Sequence, residues 1–202
     1  MHLNDKSRLL ITCFPGCEPY LRQEVKEEGF AVEASHATGV EFAGSLRDAM
    51  RLNLTLRTAL NILYLLREFR ARDAQALYDG VAAIPWEDLI APDEYLSVTA
   101  RVDTPAINNS MFASVKVKDA IVDRIARRVG RRPNSGPERD RVVIALYWKD
   151  DFCRLFLNTS GEKLSDRGYR LIPHTAPLRE TLAAALLLAA GYDGSGPLVC
   201  PM

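Results

Sequence analysis

The sequence predicts a mixed α/β (α+β) fold in which two complete strand-and-helix units are followed by the beginning of a third. Segments with strand and helix periodicity alternate over residues 8–70 and recur in a different order over residues 73–158. An Ala/Leu-rich segment and a Gly-rich turn then close the chain. A chain of 202 residues, 48% hydrophobic and 26% charged, can bury one large core or two small ones.

Residues 1–72 form the first predicted unit, in the order β-α-β-β-α-β. We expect Gly29 to end the first helix and Ser45 to cap the second by accepting hydrogen bonds from its first N–H groups. This order is typical of a split β-α-β, ferredoxin-like domain. The predicted strands are Arg8–Phe14, Phe30–Ser35, Thr38–Phe42 and Ala59–Arg70, and the predicted helices are Cys17–Glu28 and Ser45–Leu54.

Residues 73–170 form the second predicted unit. Its longest element is an amphipathic helix at Ser110–Val129, which Gly130 ends, and a polar loop at residues 131–140 leads from it into a β-hairpin. The other predicted elements are a helix at Asp73–Ala83 capped by Asp73, a helical turn that includes Trp86 and Leu89, a strand at Tyr95–Val102, and hairpin strands at Val142–Trp148 and Phe152–Asn158.

Residues 171–202 contain an Ala/Leu-rich helix, a Gly-rich turn and a short apolar run, Pro197–Val199, that predicts a buried strand. A helix, a turn and one strand do not make a domain. We therefore expect a third domain that begins here and whose remainder lies beyond Met202.

The charges are unevenly distributed, although 26 Lys/Arg balance 26 Asp/Glu over the whole chain. From Arg101 to Arg141 there are ten basic and five acidic residues. Such segregation predicts a local positive field that favours an anionic partner.

No catalytic or metal-binding motif is recognisable in the sequence. His2, His36 and His174 are scattered, and Cys13 and Cys17 lack the second pair of ligands that a zinc site requires. No apolar run reaches the ~18 residues of a membrane span. We therefore expect reduced thiols, no metal, no membrane contact and a cytoplasmic location.

The helix at Ser110–Val129 carries the most specific feature of the sequence. At 100° per residue, Lys118 falls at the centre of its predicted apolar stripe. Lys118 either extends past the core to reach water or forms an anion-binding lip near the positive helix N-terminus. The stripe comprises Met111, Val115, Ile121, Val122, Ile125, Ala126 and Val129, and the polar residues Thr104, Asn108, Asn109 and Ser110 would complete the lip.

Five arginines lie at the end of this helix and just beyond it. They form either a solvated helix end, where cations are favoured, or a nucleic-acid contact. No interleaved aromatic residues suggest single-strand stacking. The five are Arg124, Arg127, Arg128, Arg131 and Arg132.

Three segments of the sequence resemble a known family. Residues Asn108–Asn134 resemble the THUMP domain of ribosomal RNA large-subunit methyltransferases, and Asn158–Arg170 resembles the segment that leaves that domain. Ala176–Met202 is similar to the first helix and strand of the methyltransferase domain. The resemblance departs at Asn158 and Cys200, where the family usually has acidic residues.

The resemblance implies that the ferredoxin-like and THUMP domains together bind structured RNA, with large-subunit rRNA as the expected partner. It further implies a Rossmann-like domain that uses S-adenosylmethionine to methylate the N2 atom of a guanine. Its first cofactor contacts would include Pro177 and Thr181 of this chain. We expect the 202-residue chain alone to bind no cofactor and to be inactive.

Seven residues are the expected RNA contacts on this resemblance. Arg167 and Arg170, beside Tyr169, have an alternative role as part of a linker strand packed on the THUMP sheet. Arg101, Lys116 and Lys118 are expected to contact phosphate, Asn108 and Ser110 to contact sugar or backbone, and Arg167 and Arg170 to extend the surface.

Two alternative functions stay open. The chain could come from a THUMP-bearing tRNA-modifying enzyme that transfers a methyl group or sulfur. It could also be a stand-alone RNA-binding module, although its apolar C-terminal segment would then lack a partner.

Overall fold

The computed structural model describes residues 2–169 and 176–199. The first half of the chain folds in the predicted order, and α1 ends just before Gly29, whose φ is +89°. Ser45 caps α2 as predicted, because its side chain accepts from Asp48 N while the Asp48 carboxylate accepts from Ser45 N. The elements are β1 (Lys6–Thr12), α1 (Glu18–Glu27), β2 (Ala34–His36), β3 (Gly39–Ser45), α2 (Leu46–Thr55) and β4 (Asn61–Arg70).

The second half also follows the prediction. Asp73 caps its first helix by accepting from Ala76 N at 2.8 Å, and the longest helix has the predicted bounds and ends at Gly130, where φ is +76°. The elements are α3 (Ala74–Ala82), a 3-10 turn (Trp86–Asp88), β5 (Tyr95–Asp103), α4 (Ser110–Val129), β6 (Asn134–Ser135), β7 (Val142–Lys149) and β8 (Phe152–Asn158), followed by a 3-10 turn (Leu164–Asp166) and α5 (Glu180–Ala189).

One eight-stranded sheet runs through both halves, in the order β2-β3-β1-β4-β8-β7-β5-β6. The halves join where β4 pairs antiparallel with β8. A bulge between Leu65 and Arg67 shifts this register. Arg67 and Glu68, as consecutive strand residues, lie on opposite faces of the sheet. The division into domains at residues 72 and 170 stays a prediction.

The helices that the structure describes pack on one face of this sheet. Two buried clusters lie between that face and the helices, and Leu66 and Leu157 contact both. The opposite face, called the open face below, has only a small apolar cluster with no helical residue among the described ones. That cluster is centred on Leu10, Leu63, Ala145 and Phe156.

The sequence-based prediction was wrong in detail at two strands. The predicted strand at Phe30–Ser35 is only three residues long, because Phe30 and Val32 pack on the core without joining the ladder. The predicted loop at residues 131–140 contains β6, which pairs parallel with β5. The error at β6 arises because its pairing partner, β5, lies far away in the sequence, where a local pattern does not show it.

The C-terminal segment is helical as predicted, but residues 197–199 do not form the predicted strand. Leu198 and Val199 are 62% and 81% exposed, and no strand among the described residues pairs with this segment. Helix α5 buries Thr181 and Ala185 against the first half, next to α1, and leaves Leu186 exposed. None of the helices described is long and apolar enough to cross a membrane.

Candidate nucleic-acid interface

Helix α4 presents a different face to the core from the one that its sequence predicts. The predicted stripe residues Met111, Val115 and Val129 are 76%, 43% and 47% exposed. The true buried stripe is rotated around the helix, because two small alanines permit close contact with β5 and α3. It comprises Ala113, Val117, Ala120, Ile121, Val122 and Ile125.

Lys118 therefore lies at the margin of the buried face rather than at its centre. Its side chain is 30% exposed, and its Nζ atom lies 3.0 Å from Asp119 Oδ1. Lys116 has no acidic partner among the described residues, and its Nζ atom lies 5.8 Å from the centre of the Phe112 ring. The charge of Lys116 is thus more available to an anion than that of Lys118.

The N-terminus of α4 is capped by Asn109. Its Oδ1 atom accepts from Met111 N at 2.9 Å and from Phe112 N at 3.3 Å, so these two N–H groups are occupied. Asn108 and Ser110 are exposed on either side of the cap. An anion at this predicted lip would depend on side chains more than on free helix N–H groups.

The five arginines at the end of α4 are mostly held by acidic residues. Arg124 donates two hydrogen bonds to Glu87, at 2.9 and 2.8 Å, and a third to Ala82 O. The hydrogen bonds and charge of Arg124 lower the pKa of the Glu87 carboxyl to about 2. Arg128 also approaches Glu87, and Arg132 pairs with Asp123.

In the structure, acidic side chains from outside the segment compensate part of the excess positive charge that is counted along the sequence. Glu87 and Glu94 lie outside the segment from Arg101 to Arg141, yet they pair with Arg124 and Arg141. Lys118 and two further arginines also have acidic partners. The basic residues of the segment without one, among the described residues, are Arg101, Lys116, Arg127, Arg131 and Arg139.

Arg101 lies on the open face, on the opposite side of the sheet from α4. Register brings Arg101 beside Tyr147 on β7, Tyr147 beside Arg154 on β8, and Arg154 beside Glu68 on β4. The Arg101 guanidinium lies 5.8 Å from the centre of the Tyr147 ring. The structure therefore places Arg101 on the other side of the sheet from Lys116 and Lys118.

Two adjoining cavities open on this face and share Arg101 and Tyr147. The first, called the aromatic cavity, has a volume of about 470 Å³ and includes Tyr147 and the exposed Phe152 in its wall. The charged residues around it are Arg8, Arg154 and Lys149, and the acidic Glu68 and Asp103. The second, called the basic cavity, has a volume of about 230 Å³. Arg101, Arg139 and Lys163 line the basic cavity together with Asn61, Thr99 and Asn158, and no acidic residue does.

A buried carboxylate anchors the open face beside these cavities. Glu41 is 5% exposed, accepts a 2.7 Å hydrogen bond from Arg154 and lies 3.1 Å from His36 Nε2 and 3.9 Å from Arg8 Nε. Burial alone would raise the pKa of Glu41, but the hydrogen bonds and charges of Arg154 and His36 outweigh it and lower the pKa. Arg154 is thus fixed in position across the sheet.

The link after β8 uses its arginine within the fold. Arg167 donates to Asn53 O at 2.7 Å and to Leu56 O at 2.9 Å, and so satisfies carbonyls at the end of α2. It also donates to the hydroxyl of the exposed Tyr169 at 3.1 Å. An RNA contact by Arg167 stays a prediction, and Arg170 lies outside the described residues.

The two predicted cofactor contacts lie in different environments. Pro177 is exposed, whereas Thr181 is 2% exposed and its Oγ1 atom has no hydrogen-bond partner among the described residues. Both cofactor contacts stay predictions. The described residues contain no group of three or more His, Cys, Asp and Glu that could hold a metal ion.

Three family models match the chain. The RlmL ferredoxin-like domain matches residues 8–63, the THUMP domain matches residues 71–158, and the RMKL-like methyltransferase domain matches residues 167–202. A relative named ribosomal RNA large subunit methyltransferase K/L, from Syntrophotalea carbinolica, is 39% identical over 199 residues. These cover 96% of this chain and 28% of the relative, so the chain spans little more than a quarter of that protein.

Two solved structures share the fold. SMU.472, described as a methyltransferase complexed with SAH, has a TM-score of 0.80 and is 28% identical, over 95% of this chain and 51% of its own. A protein from Listeria monocytogenes, described as a predicted N6-adenine-specific DNA methylase, has a TM-score of 0.79 and is 30% identical, over 91% of this chain and 48% of its own. Both are longer proteins that carry this strand-and-helix arrangement.

Proposed function

Since this chain belongs to the family of THUMP-domain ribosomal RNA large-subunit methyltransferases, we propose that it is the RNA-binding N-terminal region of such an enzyme. In this role it holds structured RNA for a catalytic domain that transfers a methyl group to the N2 atom of a guanine. A large-subunit rRNA substrate would place the enzyme in the cytoplasm.

The observation that carries this proposal is the supply of uncompensated positive charge within the residues that match the THUMP domain. Arg101, Lys116 and Arg139 have no acidic partner among the described residues, although acidic side chains hold most of their basic neighbours. Phosphate contacts of this kind supply affinity without base-specific readout.

A salt titration tests the proposal. We expect the chain to bind a structured rRNA fragment with a Kd of roughly micromolar or weaker, and to release it steeply between about 50 and 200 mM salt as counterions return to the phosphates. Fluorescence anisotropy measures this binding directly. An affinity that does not change with salt, or no binding at all, would contradict the proposal.

S-adenosylmethionine is the methyl donor that we propose for the whole enzyme, supported by the methyltransferase-domain match and the SAH-bound neighbour. Thr181 is buried in this chain, and we expect no cofactor binding and no activity from residues 1–202 alone. An assay for methyl transfer to rRNA fragments checks this. Methylation by the pure 202-residue chain would show that the expectation is wrong.

The tRNA-modifying alternative has less support. The curated relative that covers 96% of the chain is named for large-subunit rRNA, and the third family model describes a methyltransferase rather than a sulfur-transfer domain. A binding assay that compares tRNA with rRNA fragments separates the two functions. Preference for tRNA by this chain would favour the alternative.

A further inference from the structure

The open face places aromatic rings next to cations and amides. Contacts to the backbone of a duplex would require only the polar and cationic groups. The aromatic cavity offers the half-buried Tyr147 and the 41% exposed Phe152. The basic cavity, which continues from it past Arg101 and Tyr147, offers cations and amides. The aromatic cavity also has charged residues of both signs in its wall, Glu68 and Asp103 among the acidic ones. Its aromatic rings, beside a cavity lined by cations, are complementary to a base joined to its phosphate.

The geometry of Tyr147 favours a stacking role. Its ring packs edge-on against Phe156, with 5.6 Å between ring centres and an 80° angle between planes, and Phe156 is fully buried. The ring is thereby fixed while the Arg101 guanidinium lies beside it. Splayed RNA bases stack on aromatic rings and on arginine planes of this kind.

The cations of the basic cavity are available to an anion. Arg101, Arg139 and Lys163 form no ion pair among the residues that the structure describes, unlike Arg8 and Arg154, which pair with Glu68 and Glu41. The cavity has no acidic residue in its wall. A phosphate group would therefore meet three cations and no like charge there.

We propose that the open face holds an unpaired nucleotide of the RNA. Its base lies in the aromatic cavity against Tyr147, and its phosphate contacts Arg101, Arg139 and Lys163. The aromatic cavity, about 470 Å³, has the size of a small-ligand site, whereas the bases of a duplex are stacked inside the duplex and cannot enter it. This inference rests on the proposed RNA-binding function and adds a preference for single-stranded RNA next to a stem.

Two RNAs test this inference: a blunt hairpin and the same hairpin with a short single-stranded 3′ extension. We expect the wild-type chain to bind the extended hairpin about tenfold more tightly at low salt, because one stacked base and its phosphate are added. Arg139→Ala with Lys163→Ala should abolish this advantage, because it should weaken binding of the extended hairpin much more than binding of the blunt one. Phe152→Ala, an exposed position, should reduce the advantage without adding or removing charge.

Arg47→Ala is the matched control, because Arg47 is an exposed cation on α2, on the helical side of the sheet, and its side chain has no ion pair among the described residues. It should leave the advantage intact. Thermal melting of each variant verifies that it is folded.

Equal wild-type affinity for the two RNAs, or equal losses on both RNAs in the double variant, would overturn the inference while the proposed function stands. If the wild-type chain binds neither RNA, the proposed function fails and this inference with it.

Discussion

The partners of individual side chains decide how much positive charge helix α4 and the loop after it can offer to the proposed RNA partner. Arg124 and Arg132 are basic in sequence but are hydrogen-bonded to Glu87 and Asp123 in the structure. Lys116, by contrast, has no acidic partner among the described residues, and its ammonium lies beside the Phe112 ring. Availability of charge, rather than the count of basic residues, thus separates RNA-contact candidates from residues that stabilise the fold.

Replacement of Lys116 and of Lys118 compares a free cation with a paired one. We expect Lys116→Ala to weaken binding of an rRNA fragment about threefold and to reduce the salt slope by about one, as loss of a single phosphate contact requires. Lys118→Ala should have a smaller effect, because Asp119 already holds its ammonium. An anisotropy titration at several salt concentrations measures both. Negligible losses from both variants would remove the predicted lip at α4.

Glu41 makes the stability of the fold depend on pH. Its lowered pKa means that the folded state favours the carboxylate more than the unfolded chain does, so it stabilises the fold above its ordinary pKa and loses this effect as the pH falls through the lowered value. We expect Glu41→Gln to reduce the free energy of unfolding at neutral pH. Between about pH 5 and pH 3, the free energy of unfolding of the Glu41→Gln variant should then fall less than that of the wild-type protein.

Urea unfolding at several pH values measures this difference. Glu33→Gln is the control, because Glu33 is an exposed carboxylate on the neighbouring segment. The interpretation of Glu41 is wrong if Glu41→Gln and the wild-type protein lose the same stability on acidification.

At the scale of elements, short polar signals determine where the helices begin. Ser45 and Asp73 were predicted as caps from sequence, and both accept hydrogen bonds from the first turn of their helices. At α4 the cap is Asn109, within the polar run that was interpreted as an anion-binding lip. The same residue types thus serve as caps before they are available to a ligand.

Removal of the Ser45 hydroxyl tests the contribution of a cap. Ser45→Ala should lower the free energy of unfolding by about 1 kcal/mol, because Asp48 N loses its partner and the Asp48 carboxylate keeps only the hydrogen bond from Ser45 N. Chemical denaturation followed by circular dichroism measures it. Ser35→Ala, an exposed serine on β2, should change stability by much less, and equal effects would argue against the cap.

At the scale of the molecule, the continuous sheet makes the two predicted domains one structure. β4 and β8 pair over most of their length, and Leu66 and Leu157 contact both helical cores. A chain joined in this way should unfold as one cooperative unit, because separation of the two halves would leave β4 and β8 as unpaired edge strands.

Two probes can follow the two halves separately. Trp86 and Trp148 are buried in the second half, and Cys13 is buried in the first half with its pKa raised to about 12, mainly by burial. In a variant with Cys153 and Cys200 replaced by alanine, we expect tryptophan fluorescence and thiol labelling to give the same urea midpoint. Two separate midpoints would show that the halves unfold independently.

The sequence by itself determined the helices, most strands, two of the caps and the family, because these depend on local periodicity, capping residues and contiguous motifs. The orientation of α4 was predicted wrongly, since Ala113 and Ala120 were not counted as packing residues although they permit close contact. Only the tertiary structure decided that Arg101 and Lys116 lie on opposite sides of the sheet, and that Tyr147 and Phe152 meet Arg101 and Arg154 on the open face. These residues lie far apart in sequence, and strand register alone brings them together.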